Sequence, residues 1–431
     1  MQDALLPTSM PMCQGPPGPP SSLLRRGTPL LLACLLLAAP PLMGQEQGDL
    51  PEARRGVFIG SGESGLAIGH VPRVTGVRVN WADRELDRVR GVNLTLWRPA
   101  DVVGGRVDGA ALGLMPAAGD LRGLGLGLLA VFGEEELRGV HVGGIASVSG
   151  GSLRGVSLGG LAAVGGDELR GFSAGGLAVV GASGFDGAAL GGLAFISGGH
   201  ARGFGAAGLA AISEGPMEGA HGAGLVTIAA GGMRGAQAAG LLAFSAQQMH
   251  GIQAGGLAVL GDVGMKGVQA GGLAVVSGGA LVGLQAGGLA VVTGGPMRGV
   301  QAAGLATVAG QRMDGIQLGG LAVVGGDLVR GLQFAGGKVE AATRLEGISL
   351  AGGLVEARDL HGVSIAIGRV DADRMVGVSG AALNSFGVQT GLAVGLVNWS
   401  DELRGLQVGI LNRVGNNPHP FRYLPVANAR F

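Results

Sequence analysis

One pattern of apolar and polar positions recurs every sixteen residues through the middle of this chain. A glycine opens each unit without a slip from Gly123 to Gly347. The clearest copy runs from Gly283, taken as position 1, to Arg298, position 16. Position 6 is glycine from Gly144 to Gly352, and position 7 is leucine or isoleucine from Ile145 to Leu321. Position 15 is mostly leucine or methionine, as in Leu137, Leu153, Met217 and Met297. Such a unit cannot bury its apolar side chains alone, so it must stack on its neighbours.

Within a unit, positions 2–4 and 7–11 are short runs of Val, Leu, Ala and Thr between glycine-rich corners, which predicts strand, turn, strand. Three to five glycines in sixteen residues disfavour helix, at about 1 kcal/mol each relative to Ala. The array is therefore expected to be all-β, in one of two forms. In a parallel β-solenoid, identical positions stack about 4.8 Å apart. In an up-and-down β-barrel, strands reverse at Gly-Gly turns such as Gly294-Gly295.

Position 16 favours the solenoid. Its residues alternate in sign along Arg298, Asp314, Arg330 and Glu346, as a stacked column of charges does to avoid like neighbours. Fifteen regular coils at that spacing give a stack of roughly 70 Å. A lipid-spanning barrel should show polar and apolar faces with aromatic girdles, and neither is visible.

The expected organisation is a signal peptide (1–44), a flexible lead (45–56), divergent N-terminal coils (57–120), the regular array (121–361) and irregular C-terminal coils with a cap (362–431). Terminal units depart from a repeat because each end of a stack must shield an open strand edge.

Gly139, Gly155, Gly171, Gly235, Gly251, Gly267, Gly283, Gly299 and Gly315 are expected to be structural, held by positive φ or by close approach of successive coils. Gly272, at position 6, is expected to tolerate valine far less than Gly279 in the variable turn. Seven glutamines at strict spacing, Gln237, Gln253, Gln269, Gln285, Gln301, Gln317 and Gln333, form a candidate interaction ladder. Two readings stand: amides hydrogen-bonded in register along the stack, or a solvated column retained by duplication.

Composition changes the picture only in part. Glycine, at 91 of 431 residues, is about three times ordinary usage, yet without an every-third pattern it does not indicate collagen. Arg25-Arg26 precede an apolar run from Pro29 to Ala39, which reads as a secretory signal cleaved after Gly44. The run is too short to span a bilayer, which needs about 20 apolar residues. The translation start is expected at Met1, Met10 or Met12. Both cysteines, Cys13 and Cys34, fall inside this segment, so the mature chain has no thiol; a rival reading makes Leu31-Leu32-Ala33-Cys34 a lipidation box. Cleavage removes Asp3, Arg25 and Arg26, so 30 basic and 30 acidic residues become 28 and 29. That balance gives no electrostatic reason to bind nucleic acid.

The motifs of chemistry are set aside in turn. The Gly-Gly steps lack Gly-Lys-Ser/Thr and any strand-loop-helix unit, so they are turns and not phosphate loops. Asp167, Asp262 and Asp327 follow glycines but lack the nine-residue calcium-roll signature. His141 and His221 share position 3 five coils apart, roughly 24 Å, too far to ligate one metal. No serine sits in a nucleophile elbow and no carboxylate column suggests a glycan-cleaving groove. Thr227, Thr293 and Thr307 make no continuous ladder of the ice-binding kind. Asn93-Leu94-Thr95 and Asn398-Trp399-Ser400 are glycosylation-type triplets that chance explains. No catalysis, cofactor or metal is expected.

The C-terminal stretch from Gly405 to Asn412, the Asn416-Asn417-Pro418 turn and the end from Tyr423 to Phe431 resemble bacterial surface-repeat proteins of the Leptospira type. Gly91 to Trp97 is similar too. In the middle, Gly-Gly-Leu-Ala-Val-Val replaces that family's Gly-Leu-x-Asn. The resemblance implies export and association with the cell surface, outer membrane or periplasm, and implies no activity. The expected role is structural or interactive, with an unidentified protein or envelope component as partner, and the oligomeric state is left open. An outer-membrane barrel protein is the alternative.

Overall fold

A computed structural model describes residues 56–84, 86–99 and 104–431. The expected signal segment, its two cysteines and the flexible lead up to residue 55 lie outside the described residues. Strands, turns and bends make up the described chain, with no helix.

The strands pair in parallel, coil on coil. Gly283 pairs with Gly299 and Gln285 with Gln301 on the longer strand, while Val291 pairs with Thr307 on the shorter one. The fold is thus a parallel β-solenoid, and the barrel alternative is overturned, because consecutive units stack in register and do not reverse. In each coil the long strand covers positions 14 to 5, as in Ala280–Gly287, and the short strand covers positions 8 to 11, as in Ala290–Thr293.

Position 1 bends the long strand. Its glycines form one column that runs through Gly65, Gly76, Gly91 and Gly109, along the regular array, and on through Gly362, Gly377, Gly391 and Gly405, all at positive φ. At Gly299 φ is 132°, and an added Cβ would lie 1.9 Å from the carbonyl oxygen of Gly283. Both reasons for glycine therefore hold at one site: backbone conformation and the approach of the previous coil. The column also shows that the ends, which look irregular in sequence, keep the same bend while coil length varies. Gly279 corrects an expectation, since a Cβ there would meet the Val263 carbonyl oxygen at 1.6 Å, closer than the 1.9 Å at Gly272. Other coils carry a side chain at this position, as at Val263, but the backbone at Gly279 must shift to admit one.

Positions 3, 9, 11 and 15 point inward. Leu281, Met297 and Met313 of position 15 belong to one buried apolar cluster, while Val275 and Val291 of position 9 form part of a second one. Burying each such side chain contributes about 1.5–3 kcal/mol before chain entropy is counted. Volume is balanced between coils. Phe185 and Phe195 meet edge to face at 5.1 Å, and the next coil supplies only the small Ala201, Gly205, Ala211 and Ser213 inward. His221, one coil further on, leans across Gly205 to stack on Phe195 at 6.1 Å.

Both ends of the parallel stack finish with an antiparallel strand. Gly56–Ser61 pairs antiparallel with Ser64–Gly69, and Tyr423–Arg430 pairs antiparallel with the last coil from Gly405 to Arg413. A buried polar hub locks the N-terminal coils. The Asp83 carboxylate accepts from Arg78 Nη1, Asn80 Nδ2, Asn93 Nδ2, Thr95 Oγ1 and the Ala117 backbone N–H, at 2.7–3.3 Å. A buried charge is tolerated only when paired and hydrogen-bonded in this way. Near the other end, Asn384 donates to Asn398 and Asn398 to Asn412, each at 2.7 Å.

Candidate functional site: an apolar flank of the solenoid

The seven glutamines of the candidate interaction ladder are internal. Gln237, Gln253, Gln269, Gln285, Gln301, Gln317 and Gln333 are 0–1 % exposed, so they offer nothing to a partner. The correction has a geometric cause: position 3 lies two residues from the bend at position 1, on the inward side of the pleat. Each Nε2 from Gln253 to Gln317 donates to the Oε1 of the preceding coil at 2.8–3.2 Å. The run starts at Gln237, which donates to the Phe244 carbonyl, and breaks after Gln317, whose Oε1 and the Nε2 of Gln333 find no partner among the described residues; beyond the break Ser349 donates to Gln333. Parallel stacking alone brings identical amides within bonding distance, which offsets the cost of burying them.

His141 and His221 occupy the same inward column as the glutamines. Burial holds the His141 imidazole down to about 4, against a smaller opposing pull from the Arg138 backbone. Burial lowers His221 as well. Each histidine lies over the glycine of the coil before it, Gly125 or Gly205.

Position 16 carries the charges, on the surface formed by positions 14 to 16. Arg298 and Asp314 approach to 3.7 Å, and Arg330 and Glu346 to 2.8 Å. The run of arginines upstream gathers on one acid, since Arg122, Arg138 and Arg154 all reach Glu136 within 3.8 Å. Glu168, Asp186 and His200 come together nearby, a group that sequence reasoning missed because it mixes positions 14 and 16 of three coils. His200 Nε2 lies 3.5 Å from Glu168 and 3.4 Å from Asp186, crossing above Gly184. Partial burial pushes the Asp186 carboxyl up, but bonds from His200 and Glu168 and the charges of His200 and Arg202 leave it below its ordinary value. Arg170 and Arg202 pair with the same acids, so the group reads as an ion-pair network.

The remaining flank is apolar. Residues at position 7 form one continuous file from Ile145 to Leu321, each 40–60 % exposed. Backbone bonds hold the file in register, because each position-7 N–H donates to the carbonyl of the previous one, as from Leu289 to Leu273 at 2.8 Å. Beside the file runs a trough floored by glycines of positions 5 and 6. It encloses about 700 Å³ between Val142 and Gly208, and about 960 Å³ between Ala239 and Phe334. Across twelve coils, positions 4 to 8 hold only Gly, Ala, Val, Leu and Ile, from 142–146 to 318–322. Positions 2 and 10 on either side are apolar over the same coils. Monomeric proteins rarely expose apolar patches beyond a few hundred Å², and larger ones mark interaction surfaces. The sequence holds the signal for this flank: positions 2, 4 to 8 and 10 are apolar in every one of these coils, while the polar side chains between positions 2 and 11 fall at 3, 9 and 11.

No protein-family model, curated protein or solved structure matches this chain.

Proposed function

We propose that the chain is an exported, surface- or envelope-associated repeat protein whose role is structural and interactive and not catalytic. One observation carries the reading: a flank of twelve coils with no charge and no hydrogen-bonding side chain in positions 4 to 8. Such a surface has no groups with which to polarise a bond or move a proton, but it has the character of a docking face. The likeness of the C-terminal stretch to surface-repeat proteins supports the export half of the reading, and so does the apolar run from Pro29 to Ala39.

Cell fractionation tests it. The protein is expected with the envelope or outside the cell, and its envelope-bound fraction should leave with urea in the absence of detergent. Recovery in the cytosol overturns export. A requirement for detergent overturns the peripheral association.

A further inference from the structure

We infer that the occupant of the apolar flank is a second copy of this chain. The inference rests on the interactive reading above and names the partner. Three features of the flank select a copy of itself. The first is area: the file from Ile145 to Leu321 spans eleven coil steps, roughly 53 Å at about 4.8 Å per step, and positions 4 to 8 are roughly 16 Å wide, which gives about 850 Å². A stable interface takes about 800 Å² from each partner.

The second is shape. A ridge of leucines lies directly beside a glycine-floored trough, and both repeat at the coil spacing. A two-fold axis parallel to the coil stack sets the ridge of one copy against the trough of the other, and the reverse, coil by coil. An isologous contact needs that kind of self-complementary patch. Only a partner with the same rise keeps its side chains in step along the whole file.

The third is the character of the flank's neighbours, which argues against a lipid surface. Interfacial membrane binding draws on basic residues and on tryptophan or tyrosine beside the apolar face. Positions 2 to 10 of these coils have neither, and Trp81, Trp97, Trp399 and Tyr423 lie outside them.

The test is the mass of the purified protein by light scattering and sedimentation, compared with two variants. One blunts the ridge, with Leu241→Gln, Leu257→Gln and Leu273→Gln together. The other fills the trough, with Ala254→Phe and Ala270→Phe; Phe334 natively occupies the same position 4 and is half exposed, so the coil accepts that side chain. The unaltered protein should have twice the chain mass. Each variant should keep its circular dichroism and melting temperature while its dimer dissociation constant rises at least 100-fold. An unaltered protein that stays monomeric overturns the inference, and so does a folded variant of either kind that dimerises as before. Flotation with phosphatidylcholine vesicles is run alongside, and a monomer that floats would assign the flank to lipid. A monomer that still fractionates with the envelope would sink the self-association while leaving the proposed function standing.

Discussion

The glutamine column and the leucine file repeat at the same sixteen-residue period and lie four positions apart in each coil, yet they stand the wrong way round for a simple hydrophobic rule. Gln285 is buried and Leu289 is 46 % exposed. The difference shows what decides inside from outside in a parallel stack. Alternation within each strand fixes the direction of its side chains, the corner at positions 6 and 7 takes Leu289 out of that alternation and leaves it outside, and a polar residue is retained inside when its copies above and below satisfy it. Glutamine suits this task because its amide both donates and accepts along the axis. Leucine at a corner has no such neighbour to satisfy and is left for another surface to cover.

Exchanging the two chemistries within one coil is the strongest way to break the comparison. Gln285→Leu removes the donor to Gln269 Oε1 and the acceptor of Gln301 Nε2 and Thr293 Oγ1. At about 1–3 kcal/mol for each stranded buried group, the expected loss is about 4 kcal/mol. Leu289→Gln, the reverse change four residues away, should stay within about 0.5 kcal/mol when measured on the monomer. Chemical denaturation of both variants checks the contrast. Similar losses would mean that the leucine file, and not the amide ladder, braces the coil.

A smaller effect comes from the same inward column at His141. Its pKa near 4 lies below the ordinary value of 6.5, so the unfolded chain binds the proton more readily. Stability from this group is full above about pH 6.5, falls as pH drops, and levels off below about pH 4. The span is worth about 3 kcal/mol. His141→Ser, which copies Ser157 one coil on, should flatten that part of the stability curve between pH 7 and 4. An unchanged slope would show that His141 is hydrated in solution.

Much of the architecture was readable in the chain because a period is a long-range signal that survives changes at variable positions. The parallel stack followed from Arg298, Asp314 and Arg330 alternating in sign, and their backbone register is the one expected. Facing was not readable in the same way. In the flank's coils positions 2, 4, 7, 8 and 10 are small or apolar while the Gln, His, Ser and Thr side chains of the strands facing inward fall at positions 3, 9 and 11, so a rule that turns polar residues outward picks the wrong set. The in-register bonding of Gln285 with Gln269 and Gln301 is one of the two readings the sequence allows, but the burial of Gln285 is not legible there, because those partners are sixteen residues away on either side. Gly279 looked free for a similar reason, since the carbonyl that excludes a side chain there belongs to Val263 of the previous coil. The Asp83 hub was hidden too, because its five donors come from residues 78 to 117 at irregular spacing.

The smallest expected effect sharpens the comparison at a third column, where residues are polar and stay in water. Asp314 lies between Arg298 and Arg330 in the stack, and a bidentate bond from Arg312 with the charges of its neighbours holds its carboxyl below the ordinary range. Asp314→Arg sets three like charges in successive coils about 5 Å apart. Because the site is solvated, the loss should be no more than about 1 kcal/mol at low salt. Part of it should return at 1 M salt, where the screening length falls to about 3 Å. The interior ladder gives the reference for this test. Its bonds join neutral buried amides, so the deficit of Gln285→Leu should not shrink with salt in this way. A salt response shared by both variants would mean that bulk solvent effects on the solenoid, and not the local charge column, set the result.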